Sequence, residues 1–302
     1  MNERLRIQFA YLAVTLIWGS TWLVIKIGLT MIPPLIGAAL RFVVATIVLF
    51  GLARFWRVNV PWHRRARIVY AVVALFSFSV PFAMVYWGQQ YVSSGLASIL
   101  FGTYPFFVAL FASFLLQSER LTVWKMSGII IGFAGIVIIF SNDLQFSGGA
   151  AFWGMAAIVG SALLQAFSVI ILKKYAEDID SVAITMIPMA ISGFLLLVVS
   201  LSLETVTLSM FTWQSLLSIG YLGIFGSVVT FVNYFWLLKR MDAVYLALLA
   251  FVTPIIAVIL GILLLGEAFD SRIYIGAALV LCGIATAHFG GYTIARSHSA
   301  EK

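Results

Sequence analysis

Two basic side chains, Lys26 and Arg41, stand inside long apolar runs of this 302-residue chain, whereas all 11 Asp and Glu residues fall outside such runs. A cation at the centre of a bilayer costs at least ~2.5–3.5 kcal/mol on insertion scales, so each must find a partner, water or the interface. Lys26 is near enough to the end of its run to snorkel. Arg41 lies deeper, roughly 10 Å into its helix at about 1.5 Å per residue. Its fork suits the carboxylate of a ligand, and equally suits pairing with Glu267 or with backbone carbonyls near that residue. Both cations are therefore carried forward as carboxylate anchors.

Around them, halfway along the apolar runs, stand Trp18, Thr21 and Trp22, Ser77 and Ser79, Thr103 and Tyr104, Ser161 and Gln165, Thr230, Asn233 and Tyr234, and Thr253. Polar groups at that depth should face the bundle interior or a wet cavity. Trp18, Thr21, Trp22, Ser79, Tyr104, Ser161, Gln165, Asn233 and Tyr234 form the expected substrate-binding set. Gln165 and Tyr104 lead it, because they are large, polar and near the midplane. Ser and Thr also serve simply to bring helices together, and Trp near helix ends belongs to the interfacial belt. Pro105 and Pro254 each remove a backbone donor in mid-run and are the expected hinges.

What the runs omit is equally informative. A single cysteine, Cys282, rules out an internal disulfide and a cysteine-rich metal site. His288 is the one imidazole in a run, and reads as interfacial. No Ser/His pair or ligand cluster suggests catalysis, so no metal and no cofactor is expected and a membrane enzyme is the weakest reading. Without carboxylates in the spans, Na⁺ or proton coupling lacks its usual group, and facilitated diffusion is the simplest energetics.

The elements that must position these residues follow from composition. Hydrophobic residues make up 63% of the chain and charged residues 10%, with a mean hydropathy of +1.10, which no water-soluble core requires. Ten runs are each long enough for a helix of roughly 20 apolar residues. They fall at 8–27, 35–53, 68–87, 96–116, 124–141, 150–172, 182–203, 213–235, 244–265 and 273–290. Stretches such as 129–140 are apolar on every face, unlike barrel strands. An all-α integral membrane protein results. The N-terminal run continues with bulky residues and lacks a small-x-small cleavage site, so it counts as the first span.

With the N-terminus inside, 15 of the 18 Lys and Arg fall on the cytoplasmic side, only Arg272 falls outside, and Lys26 and Arg41 are within spans. This matches the positive-inside rule with both termini cytoplasmic and an inner-membrane, multi-pass location. It also accounts for the net charge of +7 without nucleic acid as a partner. The lipid bilayer and a small-molecule substrate remain as partners, and a monomer suffices.

An internal repeat is the strongest pattern. Trp87 pairs with Trp236, Leu100 with Leu249, Pro105 with Pro254 and Leu115-Leu116 with Leu264-Leu265 at a spacing of 149, then Glu119 with Glu267, Gly128 with Gly276 and Gly135 with Gly283 at 148. Two five-helix units, 1–145 and 146–302, are implied, although their first two helices match only through Gly19-Ser20 against Gly160-Ser161. Five is odd, so the second unit enters the membrane from the opposite side. Inverted repeats are a transporter architecture, with the substrate site at the midplane between them.

The ordered runs Trp18-Gly19-Ser20-Thr21-Trp22, Pro33-Pro34, Ala39-Leu40-Arg41-Phe42, Ser94-Gly95-Leu96-Ala97-Ser98, Thr103-Tyr104-Pro105 and Ser118-Glu119-Arg120-Leu121 resemble an EamA-type unit of the drug/metabolite transporter superfamily. Thr253-Pro254 and Gly266-Glu267 repeat the later part in the second unit, which has no clear counterpart of Arg41. The resemblance covers essentially the whole chain. It implies a ten-helix exporter of small metabolites, with efflux of amino acids, aromatic ones included, a common activity of bacterial members. Drugs or other metabolites are the alternative cargo. The smaller four-helix multidrug relatives use an embedded Glu, which the first helix here lacks. A phosphorylated solute would be expected to need several converging cations where this chain offers two.

The charge distribution yields a direct expectation. An impermeant thiol reagent applied to intact cells should leave single cysteines placed at 54–67 and beyond Arg296 unlabelled, and strong labelling at both would refute ten spans with both ends inside.

Overall fold

Where no water reaches, each backbone N–H and C=O must be bonded within its own segment, which leaves the helix as the economical solution for long apolar runs. The computed structural model describes residues 2–116, 123–144, 149–247 and 249–300, and its regular structure among the described residues is all helical. We number the helices α1 (Glu3–Gly28), α2 (Pro34–Phe55), α3 (Arg64–Gly88), α4 (Ser94–Leu115), α5 (Val123–Leu144), α6 (Ala150–Tyr175), α7 (Ser181–Leu203), α8 (Trp213–Leu238), α9 (Ala243–Leu265) and α10 (Ser271–Ala300). Eight of them are long and apolar enough to cross a membrane, and α5 and α10 carry shorter apolar stretches, Met126–Ile139 and Ser271–Gly283. Several run past the apolar windows, since α3 starts at Arg64 and α10 continues to Ala300. Hydropathy sees only the part of a helix that lipid selects. Residues 118–121, the boundary at 145/146, and the side chains of Lys125, Asp143, His288 and Arg296 lie outside the described residues.

Helix ends leave bare amides and carbonyls, and charged side chains from other helices meet them. The Glu204 carboxylate, at the end of α7, accepts from Leu35 N and Ile36 N at 2.8 and 2.9 Å, at the start of α2. Glu267, beyond α9, does the same for Ser94 N and Gly95 N of α4 at 2.6 and 3.0 Å. At the opposite kind of end, Lys26 Nζ of α1 donates to Gln89 O and Val92 O past α3 at 2.7 and 2.8 Å. Lys173 Nζ of α6 donates to Leu238 O and Met241 O past α8.

Glycines allow the closest helix pairs. Gly193 of α7 packs on the backbone of Phe42 and Val43 in α2, and Gly88 of α3 meets Gly154 of α6. Between α5 and α10 the contacts are reciprocal, Gly135 lying on Gly276 and Gly283 on Gly128. Three interruptions break the regular helices. The α4 helix parts at Gly102–Thr103, just before Pro105, whose ring cannot continue the ladder. A wider π-helical turn occupies Ala74–Ser79 in α3, and another occupies Ile224–Val229 in α8. Pro254, in contrast, lies within a continuous helix from Leu249 to Leu265.

A methyl group added at Gly283 would stand 2.5 Å from both Gly128 O and Gly132 N, atoms of backbone that cannot swing away. Gly283→Ala should therefore destabilise the protein by about 1–3 kcal/mol, read as a lower melting midpoint in detergent. Gly51→Ala, where nothing lies within 4 Å, should be neutral or slightly stabilising.

Candidate functional site

Large aromatic side chains of several helices converge on one cavity. It is walled by Trp18, Thr21, Trp22 and Ile25 of α1, Phe101 and Tyr104 of α4, Gln165 and Val169 of α6, and Phe231, Tyr234 and Phe235 of α8. Ser77, Phe82 and Val85 of α3, Thr253 and its neighbours on α9, and Arg41 of α2 complete it. About 80 Å³ is open to the centres of water-sized spheres, room for a few waters when a single one needs roughly 10–15 Å³. Among the described residues, no Asp or Glu lines it.

The rings brace one another. Trp18 packs against Phe231 and Tyr234 with centroids 5.2 and 5.0 Å apart, and Phe101 lies between Trp22 and Tyr104 at 5.3 and 5.5 Å. Edge-to-face and offset contacts of this kind fix ring orientation. Across the space, the hydroxyls of Tyr104 and Tyr234 share a hydrogen bond of 2.7 Å that joins α4 to α8. The Gln165 carboxamide has no hydrogen-bond partner among the described residues, so its donors and acceptor are left to whatever occupies the cavity.

Among the described residues, Arg41 is the one charged group in the lining. Only 2% of it is exposed. Its Nε donates to Ser227 Oγ at 2.8 Å and its Nη2 to Gly226 O at 2.6 Å, while the guanidinium sits 4.7 Å from the ring centre of Phe82. No carboxylate pairs with it among the described residues. The backbone carbonyl it binds belongs to α8 rather than α9, and Glu267 is engaged at the start of α4.

Of the expected binding set, Trp18, Thr21, Trp22, Tyr104, Gln165 and Tyr234 come together here, with Ser77 and Thr253. Three others stand apart. Ser79 Oγ donates to Ser192 Oγ, Ser161 Oγ to Ile158 O, and Asn233 Nδ2 to Val229 O. Lys26 also stands apart, in a separate open depression lined by Thr30, Tyr91 and Glu267. Thr103 and Thr230 return their hydroxyls to Leu100 O and Gly226 O. Phe82, Phe101, Phe231 and Phe235 were not expected, because apolar rings in a membrane chain carry no polarity signal. The π turn of α3 had a signal in Pro81, which denies the preceding turn an N–H.

The EamA-like transporter family matches the chain twice, over residues 5–141 and 152–288. Among curated proteins, the chain is 28% identical to the uncharacterized transporter YoaV of Bacillus subtilis (strain 168), over 92% of this chain and 95% of that one. It is 27% identical to the protein PagO of Salmonella typhimurium (89% and 88% covered), and 28% identical to the uncharacterized inner membrane transporter YedA of Escherichia coli (strain K12) (94% and 90% covered). A solved crystal structure superposes with a TM-score of 0.70 at 19% identity, covering 93% of this chain and 97% of that one. At that identity the likeness concerns the fold.

The tyrosine pair is open to a double-mutant cycle. Tyr104→Phe or Tyr234→Phe alone leaves one buried hydroxyl unpaired and should cost about 1–3 kcal/mol. The double variant should cost less than the sum of the two, and strictly additive losses in detergent unfolding would mean that the hydroxyls do not interact.

Proposed function

Since the chain belongs to the EamA-like transporter family and is, like its relatives, a multi-pass inner-membrane transporter of small molecules, we propose that its cargo is amino acids, aromatic ones included, exported with loose side-chain selectivity. One observation carries this reading: a cavity with aromatic walls, an unengaged carboxamide, a single buried cation and no carboxylate. Arg41 suits a carboxylate. An ammonium group suits the faces of Trp18 and Tyr234 and their hydroxyl and amide neighbours. Apolar side chains are accepted broadly, because hydrophobic contact discriminates by only about 1–3 kcal/mol per methylene. A phosphorylated cargo is disfavoured, since Arg41 is the sole cation in the lining.

In this reading the ten helices are ten spans with both termini cytoplasmic, and units 1–145 and 146–302 are inverted repeats that expose the cavity to either side in turn. Several paired features support it. The carbonyls capped by Lys26, at 89 and 92, and those capped by Lys173, at 238 and 241, are 149 apart, the spacing that relates Trp87 to Trp236. The reciprocal glycine contacts of α5 and α10 and the matched π turns of α3 and α8 point the same way. The break before Pro105 supports a flexing point there, and transport down a gradient follows from the absence of lining carboxylates.

Proteoliposomes should therefore take up labelled amino acids down their gradient with no imposed pH or Na⁺ difference. Gln165→Ala and Tyr104→Ala should each slow several amino acids by roughly three- to tenfold, the equivalent of about 1 kcal/mol for one lost hydrogen bond. Ile47→Val, on an outward face of α2, should be near neutral. Parental rates for every amino acid in both cavity variants would place the site elsewhere, and uptake that requires a proton gradient would reveal a coupling group outside this account.

A further inference from the structure

Arg41 does two things at once. Its guanidinium lines the cavity, and it also ties α2 to α8 through Gly226 O and Ser227 Oγ. The point of attachment is the π turn. In an α-helix the Thr230 N–H would donate to Gly226 O, four residues back. Here it donates to Phe225 O, one residue further, and to Ser227 O, while Gly226 O accepts from Arg41 Nη2 and Thr230 Oγ1. Thr21 of α1 packs its methyl beside Gly226, so the turn is held between α1 and α2.

The corresponding turn of α3 is held differently. There Ser192 of α7 donates to Ala74 O at 2.9 Å and accepts from Ser79 Oγ at 3.0 Å. Both bonds are neutral, and an anion in the cavity has no purchase on them. The bonds of Arg41 differ, since they run from a charged donor to neutral oxygens, and an arriving carboxylate offers the guanidinium a full opposite charge and a bidentate fit. The low polarity around Phe82 and Phe231 adds to that preference.

We propose that Arg41 is a substrate-operated latch: the carboxylate of the cargo draws the guanidinium away from Gly226 O and Ser227 Oγ and so releases the π turn of α8. Gly226 O then keeps only the Thr230 hydroxyl, and the turn, untied from α2, opens more readily, so that its amides exchange faster. Phe231 and Tyr234 of the cavity wall, on the helix just beyond the turn, are freed to shift with it. Cargo without a carboxylate leaves the latch closed. This deepens the transport reading and rests on it only for the identity of the cargo.

Amide hydrogen exchange of residues 224–231, measured on the full-length protein in lipid nanodiscs, tests the latch apart from transport. Phenylalanine and phenylpropionate should each speed exchange there by roughly tenfold, the scale of a lost hydrogen bond to a charged group, and phenylethylamine should not. Arg41→Gln should exchange fast without ligand and ignore all three compounds. Ser227→Ala should start faster than the parent and still respond to carboxylates, and it decides the matter if Arg41→Gln does not fold. Exchange that ignores carboxylates, or that answers the amine equally, overturns the latch. If phenylalanine is transported while exchange stays fixed, the cargo reading stands and the latch falls. If phenylpropionate speeds exchange while no amino acid is transported, the latch stands and the cargo reading falls.

Discussion

A backbone carbonyl or amide left bare in hydrocarbon costs several kcal/mol, and much of the polar structure of this chain answers that single constraint. Within the helices the ladder suffices. At their ends it does not, and there the chain uses charges whose sign suits the local dipole, Glu204 and Glu267 at N-terminal ends, Lys26 and Lys173 at C-terminal ends. Each of these residues sits on or just beyond a helix that is not the chain neighbour of the end it satisfies. Capping thus doubles as long-range connection, and it fixes which helices are joined. Charges that hydropathy alone would read as topology signals or snorkelling groups are structural joints.

The same constraint operates in mid-span, where the π turns of α3 and α8 displace carbonyls from their usual partners. Ser192 and Arg41 supply replacements from α7 and α2. Apolar contacts between helices are numerous but discriminate poorly in lipid, where neighbouring tails are as apolar as leucine. Position is therefore set by a few polar joints and by glycines that admit close approach. A group such as the Gln165 carboxamide, which has no joint to make, marks the place left for something else.

How much of this was legible beforehand depended on how each side chain can satisfy itself. Trp18, Trp22, Tyr104, Gln165 and Tyr234 are too large, and their polar ends too far from their own backbone, to be absorbed by their helix, so polarity at mid-depth located them correctly at the cavity. Ser161 and Asn233 looked equivalent in sequence, yet each bonds a carbonyl three or four residues back on its own helix. Composition cannot distinguish the two cases. The repeat was readable in the later helices because Trp, Pro and Gly there are tied to fixed contacts. In the first helices it was obscured, since Gly19-Ser20 and Gly160-Ser161 suggest a spacing of 141 whereas the two capping lysines, Lys26 and Lys173, are 147 apart. The π turns have no periodicity signature, and only Pro81 hinted at the first.

A cavity built this way separates two tasks that a soluble pocket often combines. Its rings brace one another and present flat, polarisable faces, which on the proposed reading would accept many shapes at similar cost. On the proposed reading, choice falls instead to Arg41, whose demand for a counter-charge does not depend on the rest of the cargo. A carrier must also keep its alternative conformations close in free energy, and a wall of rings can repack with little change in buried area. On that reading, directional bonds between helices would separate the conformations, among them the tyrosine pair joining α4 to α8 and the bonds of Arg41 joining α2 to α8. Both act on α8, and both are made by side chains that line the cavity, so a molecule occupying that cavity meets residues that hold α8 in place.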